Sequence, residues 1–424
     1  YQVKSSKFSF INSTSDNSGN VLVDKPINEM IVFNTSFLNS INGLIYCPTD
    51  KINNENGEYV EIEMSTFESI FNNSCSVIIN DAMNIRNNTI RKCSNSKGSN
   101  TANFCIYIYN KTMKEFSIEK FSFENNENDN NYGTNSYWMN GGGIGFDIEI
   151  STNVENDGVI SEADEQNPNT ENKITFNFID CRFISNKATN NGGAFAFYKT
   201  INQQKVFIKF SGCEFENNKC DKHEGNAIYI ECDHLDIERC EFKNHLNEDG
   251  TFESEQGNTI ISFHNINNDE INIIENTFHN NNGNVATISN CNSIVTFKDN
   301  LINFNVAISK DKPIIDITSD DEIHIINNTF HHNDGIILKT TTKENISIEA
   351  CLFDENKNKY NPYGTNIESS GGQNDIDEYY CIIAINELNL QINNCTFNHL
   401  SKGAMILTVK ENIDIKECNF NSEM

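Results

Sequence analysis

The chain of 424 residues is short of positive charge, because 31 Lys and Arg residues stand against 60 Asp and Glu residues. The formal net charge of −29 makes nucleic acid an unsuitable partner and argues against anionic membrane surfaces. The sequence also has no Cys-x-x-Cys pair, so the usual redox and zinc-ribbon spacings are excluded.

Long apolar runs and helical periodicity are missing as well. The longest apolar stretch, EYYCIIAI at 378–385, has the length of a strand and fits neither a transmembrane helix nor a signal peptide. The acidic insertions are candidate Ca²⁺ sites, although they lack the spacing of EF-hand or RTX-type loops. Because the chain opens inside a repeat, we expect it to be part of a longer protein.

What the sequence does contain is one short phrase, repeated along its whole length. The phrase is an apolar alternation, then a small or polar residue, one further residue, and Phe or Ile, as in EIHIINNTF at 322–330. Its fourteen anchors are Phe10, Phe37, Phe67, Ile90, Phe123, Phe183, Phe215, Phe242, Phe278, Ile302, Phe330, Phe353, Phe397 and Phe420. Period-two strands in a unit as short as 23 residues predict an all-β chain, a single right-handed parallel β-helix of about 14 coils over 1–424.

Stacked coils place equivalent residues ~4.8 Å apart, so each repeated position becomes a ladder. We expect the anchors to form an inward aromatic ladder. Two residues earlier runs a small-residue ladder, the first corner ladder: Phe8, Thr35, Ser65, Asn88, Phe121, Cys181, Cys213, Cys240, Asn276, Asn300, Asn328, Cys351, Cys395 and Cys418. Three residues after the anchor runs the second corner ladder: Asn126, Asn186, Asn218, Asn281, Asn305, Asn333 and Asn356. Asn suits that place because it tolerates left-handed backbone and its amide bonds to other amides or to turn backbone.

The 14 cysteines allow two arrangements. Equivalent ladder cysteines such as Cys181, Cys213 and Cys240 would lie ~4.8 Å apart at Cα, inside the ~4.4–6.8 Å disulfide window. Parallel stacked side chains do not automatically meet the dihedral requirement, so we predict buried thiols there. A disulfide is instead predicted between strand-end cysteines, Cys220 with Cys232.

Eight Asn-x-Ser/Thr sequons predict an N-glycosylated, extracellular or cell-surface protein. They begin at Asn12, Asn34, Asn72, Asn87, Asn110, Asn327, Asn345 and Asn394.

The segment FISNKATNNGGAF at 183–195 pairs Phe-x-x-Asn with Gly-Gly-Ala, and weaker versions follow, such as FHHNDGII at 330–337. This pairing resembles the repeat of the bacterial polymorphic outer-membrane proteins and of the related β-helix surface proteins of trichomonad protists. The Asn richness, the sequons and the Cys-x-Phe phrase favour the protist type. The resemblance implies a secreted or cell-surface parallel β-helix, often acting in adhesion, and it transfers no catalytic residue.

Insertions at about 125–140, 151–172, 243–257 and 357–378 interrupt the repeat. Function on a solenoid lies on an exposed sheet face or in such loops. The candidate binding residues are the loop aromatics Tyr132, Tyr137, Trp138, Tyr360 and Tyr363. Their rings suit a glycan or a protein partner, and they equally suit packing back onto the coil.

The composition and repeat favour an adhesive or structural rod that binds a protein, a glycan or another copy of itself. The alternative is a polysaccharide-processing enzyme of the pectin-lyase-like class, which needs a carboxylate pair. Weak candidates for such a pair are Asp320, Asp321, Asp375 and Asp377. No companion pair recurs one or two coils away, so no catalytic residue, cofactor or metal ligand is assigned.

Overall fold

The structure is a computed structural model. It describes residues 7–11, 14–16, 21–23, 29–38, 44–46, 59–68, 75–79, 82–95, 104–108, 115–128, 144–147, 173–189, 191–198, 205–221, 224–245, 259–265, 269–307, 312–356, 382–386, 388–399 and 405–421. Within these residues the chain is all-β, with 45 strands and no helix. None of the described residues therefore forms a helix with the length and apolarity needed to cross a bilayer.

The chain divides into two compact units, Tyr1–Lys209 (unit 1) and Phe210–Met424 (unit 2), with the boundary inside the strand Lys205–Ser211. In each unit successive strands pair in parallel, and each coil contributes one strand to each of three sheets, A, B and C. This is the predicted parallel β-helix, so the fold class is confirmed.

The strands of sheet A in unit 1 are Lys7–Ile11, Glu29–Phe33, Tyr59–Glu63, Ala82–Arg86, Glu115–Glu119 and Lys173–Ile179. Those of sheet B are Thr14–Asp16, Ser36–Leu38, Thr66–Glu68, Thr89–Arg91, Ser122–Glu124 and Arg182–Ile184. Those of sheet C are Val21–Val23, Leu44–Tyr46, Cys75–Ile79, Phe104–Ile108, Ile144–Asp147 and Phe195–Tyr198. Short additional strands are Ser94–Asn95, Glu127–Asn128 and Lys187–Ala188.

In unit 2 sheet A continues the pattern with His234–Glu238, Ile271–Ile274, Val295–Lys298, Ile323–Ile326, Ile346–Glu349, Asn389–Asn393 and Asn412–Lys416. Sheet B contains Glu214–Glu216, Glu241–Lys243, Thr277–His279, Leu301–Asn303, Thr329–His331, Leu352–Asp354, Thr396–Asn398 and Asn419–Asn421. Sheet C contains Ile228–Cys232, Thr259–Asn265, Asn284–Cys291, Ile315–Ser319, Leu338–Thr342, Ile382–Asn386 and Met405–Val409. A short extra strand is Lys219–Cys220.

Strand register follows the anchors, and the buried anchor ladder is confirmed from Phe37 to Phe397. The last anchor, Phe420, stacks on Phe397 at 4.9 Å but is 51% exposed. Phe330 pairs with Phe353, and Phe353 pairs with Phe397, each ring buried and stacked on the next at centroid distances of 4.7 and 4.8 Å. The strand spacing imposes this face-to-face geometry. Phe10 was wrongly assigned, because it lies in sheet A opposite Val32 while Ser15 pairs with Phe37.

Two corners of the coil depend on left-handed backbone wherever the structure describes them. Within the described residues every non-Gly residue with positive φ lies either three residues before an anchor, as Asn327 does (φ 52°), or two residues after one, as Asn280 does (φ 55°). The sequence analysis placed the left-handed backbone at the ladder Asn itself, which is one residue too late in the chain. The left-handed residue directly precedes the ladder Asn, and the ladder Asn itself serves as a hydrogen-bonding group.

The second corner ladder is a chain of buried amides. The Asn305 Nδ2 donates to the Phe278 carbonyl at 2.9 Å and to the Asn333 Oδ1 at 3.1 Å. The Asn305 Oδ1 in turn accepts from the backbone N–H of Asn281 at 3.1 Å and from its Nδ2 at 2.9 Å. Each amide thus satisfies backbone groups at a turn that the sheets leave without ladder partners.

Cysteine replaces asparagine in the first corner ladder by using the same acceptors. Asn328 Nδ2 donates to the Phe297 carbonyl at 2.7 Å, and in the next coil the Cys351 thiol donates to the Ile325 carbonyl at 3.5 Å. Phe297 and Ile325 are partners in register, so the two carbonyls are equivalent. The predicted ladder thiols are confirmed at Cys181, Cys213, Cys240, Cys351 and Cys395, all buried.

Candidate functional site

Several predicted site residues lie outside the described residues. They are the aromatics Tyr132, Tyr137, Trp138, Tyr360 and Tyr363, the carboxylates Asp375 and Asp377, and the sequon residues Asn12, Asn72 and Asn110. Most of the four predicted insertions lies there too.

The other two candidate carboxylates belong to the turn that joins sheet C to sheet A. Asp320 is exposed and forms an ion pair with Lys343 at 2.5 Å. The Asp321 Oδ1 accepts the backbone N–H of the next residue, Glu322, at 2.8 Å, a local bond within the turn. Asp320 is thus paired with a lysine of the next coil, and Asp321 is bonded within its own turn.

The predicted Cys220–Cys232 bridge is wrong, because both residues are buried thiols. The Cys220 thiol donates to the Asn226 Oδ1 at 3.4 Å, and the Cys232 thiol donates to the His234 carbonyl at 3.1 Å. Cys220 lies on the short extra strand and Cys232 ends a strand of sheet C. Each sulfur is therefore directed toward an acceptor near its own strand.

Four of the described sequons share one position in the coil. Asn34, Asn87, Asn327 and Asn394 are exposed and occupy the left-handed position of the first corner. The following ladder residue is buried, while the Ser or Thr after it lies partly exposed on sheet B. The fifth described sequon residue, Asn345, is half-buried and lies beside sheet A, where its Nδ2 donates to Glu322 Oε1 at 3.0 Å.

The outer face of sheet C in unit 2 carries a group of polar side chains that the sequence analysis missed. This sheet C cluster consists of Glu224, Ser262, His264 and Ser289. Strand alternation points Ile261 and Phe263 into the core and turns Ser262 and His264 to the opposite side, where Ser262 is fully buried and His264 is partly exposed. Ser289 is opposite His264 in the next strand, so the two side chains face each other.

The cluster forms a continuous chain of hydrogen bonds. The Glu224 Oε2 accepts the Ser262 hydroxyl at 2.6 Å and lies 3.1 Å from the His264 Nε2. With Nε2–H donating to this carboxylate, the His264 Nδ1 is the acceptor for the Ser289 hydroxyl, at 2.7 Å. The order is therefore hydroxyl, imidazole, carboxylate. Tyr229 places its ring 5.5 Å from the imidazole.

Two carboxyl groups on this face have pKa values shifted in opposite directions. Burial alone raises the pKa of Glu224, but the hydrogen bonds from His264 and Ser262 outweigh it and the net pKa is lowered. Burial raises the pKa of Asp316 above its ordinary value, against the opposing effect of Lys339 and Lys312. The face thus favours ionisation of Glu224 and makes ionisation of Asp316 less favourable.

Asp316 and the cluster belong to neighbouring coils. Ser262 pairs with Thr287 and Thr287 with Asp316, so the backbone of Asp316 lies two coil steps, ~9.6 Å, from that of Ser262. Lys312 is near enough to lower the pKa of both Glu224 and Asp316. A ligand lying across three strands would contact both carboxyl groups. Alignment of the polar positions of successive coils would have revealed this face, as it stacks His264 over Ser289.

Comparison with protein-family models and with curated proteins finds no match for this chain. Of the expected resemblance, the structure shows the stacked parallel sheets of a β-helix.

Proposed function

We propose that the protein is an extracellular or cell-surface protein that acts in adhesion or as a structural element, through a polar ligand bound on sheet C of unit 2. The sheet C cluster carries the proposal. Its hydroxyl, imidazole and carboxylate groups are held in place by hydrogen bonds beside the ring of Tyr229. Preorganised polar groups with an adjacent aromatic ring suit a hydroxyl-rich ligand, and a glycan is the partner proposed.

The interior of the coils supports the same proposal. The anchor rings and corner amides contact the neighbouring coils, as Phe353 does by stacking on Phe397 and Asn333 by donating to Asn356. Recognition is therefore left to outward side chains, as in other solenoids. The net charge of −29 favours a neutral or basic ligand over an acidic polymer.

The test is binding of the purified chain to cells and to an array of immobilised glycans. Tyr229→Ala and Ser289→Ala should each weaken binding about tenfold, which is the loss of one good contact. Thr341→Ala is the matched control, because Thr341 lies on sheet C outside the cluster. Equal binding by all three variants would remove the sheet C cluster from the proposal, and binding to cells alone would indicate a protein partner.

The predicted aromatic insertions form a separate proposed surface for a partner or a second copy. Deletion of 129–140 and of 357–377, made separately, should reduce cell binding or self-association measured by light scattering. If both variants fold and neither measurement changes, the insertions take no part in binding.

A polysaccharide-processing enzyme is the second candidate, favoured by the opposite pKa shifts of Glu224 and Asp316. Asp316, whose pKa burial raises, would serve as general acid, while the His264 Nδ1 would accept a proton from Ser289 or from water. Release of reducing ends from neutral and acidic polysaccharides tests it. Asp316→Asn should lower the rate at least about 100-fold. A wild-type chain that binds glycans but cleaves none would leave binding as the function.

A further inference from the structure

Five ionisable side chains of unit 2 meet at one second corner, on the edge where sheet B ends. They form the histidine corner, defined as His331, His332, Asp354, Glu355 and His399. The set follows three successive anchors, because each member is the first or second residue after Phe330, Phe353 or Phe397. In sheet B His331 pairs with Asp354. The stacking of coils thus brings together residues that lie 22 or more positions apart.

Left-handed backbone directs three of these side chains outward along the corner. His332, Glu355 and His399 have φ values of 53°, 48° and 54°. The histidine side chains at 331 and 332 are only about one third exposed, at 34% and 36%. Phe304 occupies the same position one coil earlier, and its ring stacks on that of His332 at 5.0 Å. The corner is therefore a partly shielded surface with an apolar wall.

The contacts within the corner bring nitrogen and oxygen donors unusually close. The Nδ1 atoms of His331 and His332 are 3.0 Å apart, with the two rings at 85° to each other. His332 Nε2 contacts the Glu355 carboxylate directly. One donor atom from each of His331, His332 and Glu355 can be chosen so that all three lie within 4.8 Å of one another.

We propose that the Nδ1 atoms of His331 and His332 bind a divalent transition-metal ion of the zinc class, and that the Glu355 carboxylate turns from the His332 Nε2, which it contacts in this structure, to supply the third ligand. Two ring nitrogens can share this contact only with a proton or a cation between them, because each otherwise presents a lone pair to the other. A tetrahedral ion with bonds of ~2.0–2.1 Å needs donors ~3.3–3.4 Å apart. The observed 3.0 Å between the Nδ1 atoms is close to that separation.

The surrounding side chains orient the ligands in the way metal sites require. Asp354 Oδ2 lies 3.5 Å from His331 Nε2, and Asp354 Oδ1 lies 3.1 Å from His399 Nδ1. A carboxylate behind the Nε2 of His331 leaves its Nδ1 as the metal-facing atom. Imidazole with carboxylate selects zinc, nickel or copper over calcium and magnesium, which prefer all-oxygen sites. Three protein ligands leave a fourth position open to water or to a donor from a ligand.

Isothermal titration of the chelator-treated chain with ZnCl₂ at pH 7.5 tests the site. We expect one high-affinity Zn²⁺ per chain, a rise in the unfolding temperature with added Zn²⁺, and no comparable binding of Ca²⁺ or Mg²⁺. Acidification should weaken binding, because protons compete with the metal ion for the imidazole nitrogens.

The variants His331→Asn and His332→Asn remove one ligand each without disturbing the fold. Asn stands at the equivalent position in other coils, at Asn303 and Asn398 for the first and at Asn280 for the second. Each should lower the Zn²⁺ association constant at least about tenfold.

His279→Asn is the matched control for these two variants. His279 lies in the same strand column and contacts a single carboxylate, that of Glu241, at 3.0 Å. Zn²⁺ binding by His279→Asn should equal that of the wild type. Failure of the wild type to bind Zn²⁺, or equal binding by the His331 and His332 variants, would overturn the proposal. Neither result depends on the glycan binding proposed for sheet C.

Discussion

A single amide at position 305 serves several bonds of the second corner ladder. Asn305→Ala would leave the backbone N–H of Asn281 and the carbonyl of Phe278 without these bonds in a buried turn. We expect the free energy of unfolding to fall by about 2–4 kcal/mol, which denaturant titration measures. Asn303→Ala is the control, because the Asn303 Oδ1 has no hydrogen-bond partner and its loss should cost little.

Cysteine should partly rescue the same position. In unit 1 Cys93 occupies the second corner ladder and its thiol donates to the Phe67 carbonyl at 3.6 Å. Asn305→Cys should therefore recover part of the loss seen with alanine. A cysteine variant no more stable than the alanine variant would contradict the equivalence of thiol and amide donors.

His245 makes the same ladder sensitive to pH. Burial lowers its pKa to about 4, and its Nε2 has no hydrogen-bond partner. The unfolded chain binds a proton near pH ~6.5. Between these values the unfolded state holds more protons, so stability falls as the pH drops from ~6.5 to 4, by up to about 3 kcal/mol.

His245→Asn would restore an amide to the ladder and remove this titration. The urea midpoint of the variant should change less between pH 7 and pH 4.5 than that of the wild type. An unchanged pH profile would show that His245 is not the group responsible.

At the scale of the element, the corners carry strain that a glycine would relieve. Ala350 is exposed and left-handed, with φ at 53°, at the position that Gly212 occupies in another coil. Left-handed backbone costs an L-residue ~1–2 kcal/mol. Ala350→Gly should therefore increase the free energy of unfolding by about 0.5–1 kcal/mol, after the entropy of the unfolded glycine is counted, and so raise the thermal midpoint. Ala350→Val should lower it, and the reverse order would refute the strain.

The same elements show what the sequence predicts and what it leaves open. Anchors such as Phe330 recur because a ring inside a stacked coil has one fixed position. The parallel β-helix could therefore be predicted from their spacing. Phe10 was assigned as an anchor because the sequence around this residue of sheet A matches the repeated phrase. His264 and Ser289 were missed because outward positions are free of stacking constraints, so no repeat marks them. Their proximity depends on strand register, which a linear reading does not align.

At the scale of the whole molecule, the sequons at the first corner predict where glycans lie. We expect N-glycans at Asn34, Asn87, Asn327 and Asn394 in protein secreted from its native source, because all four are exposed. Glycopeptide mass spectrometry measures their occupancy. In each unit the glycans would project from one corner and leave the outer face of sheet C accessible. Secreted protein without glycans at these four residues would remove the glycoprotein assignment.

The buried amide ladders also determine how the protein ages. Asparagine slowly hydrolyses to aspartate, which replaces an amide donor with a second acceptor oxygen. At Asn333 that oxygen would face the Ile302 carbonyl, which the amide now contacts at 2.8 Å. A single deamidation would thus convert an attraction between coils into repulsion. Because neighbouring amides hold each ladder Asn in place, we expect chemical damage to accumulate first among exposed asparagines such as Asn217.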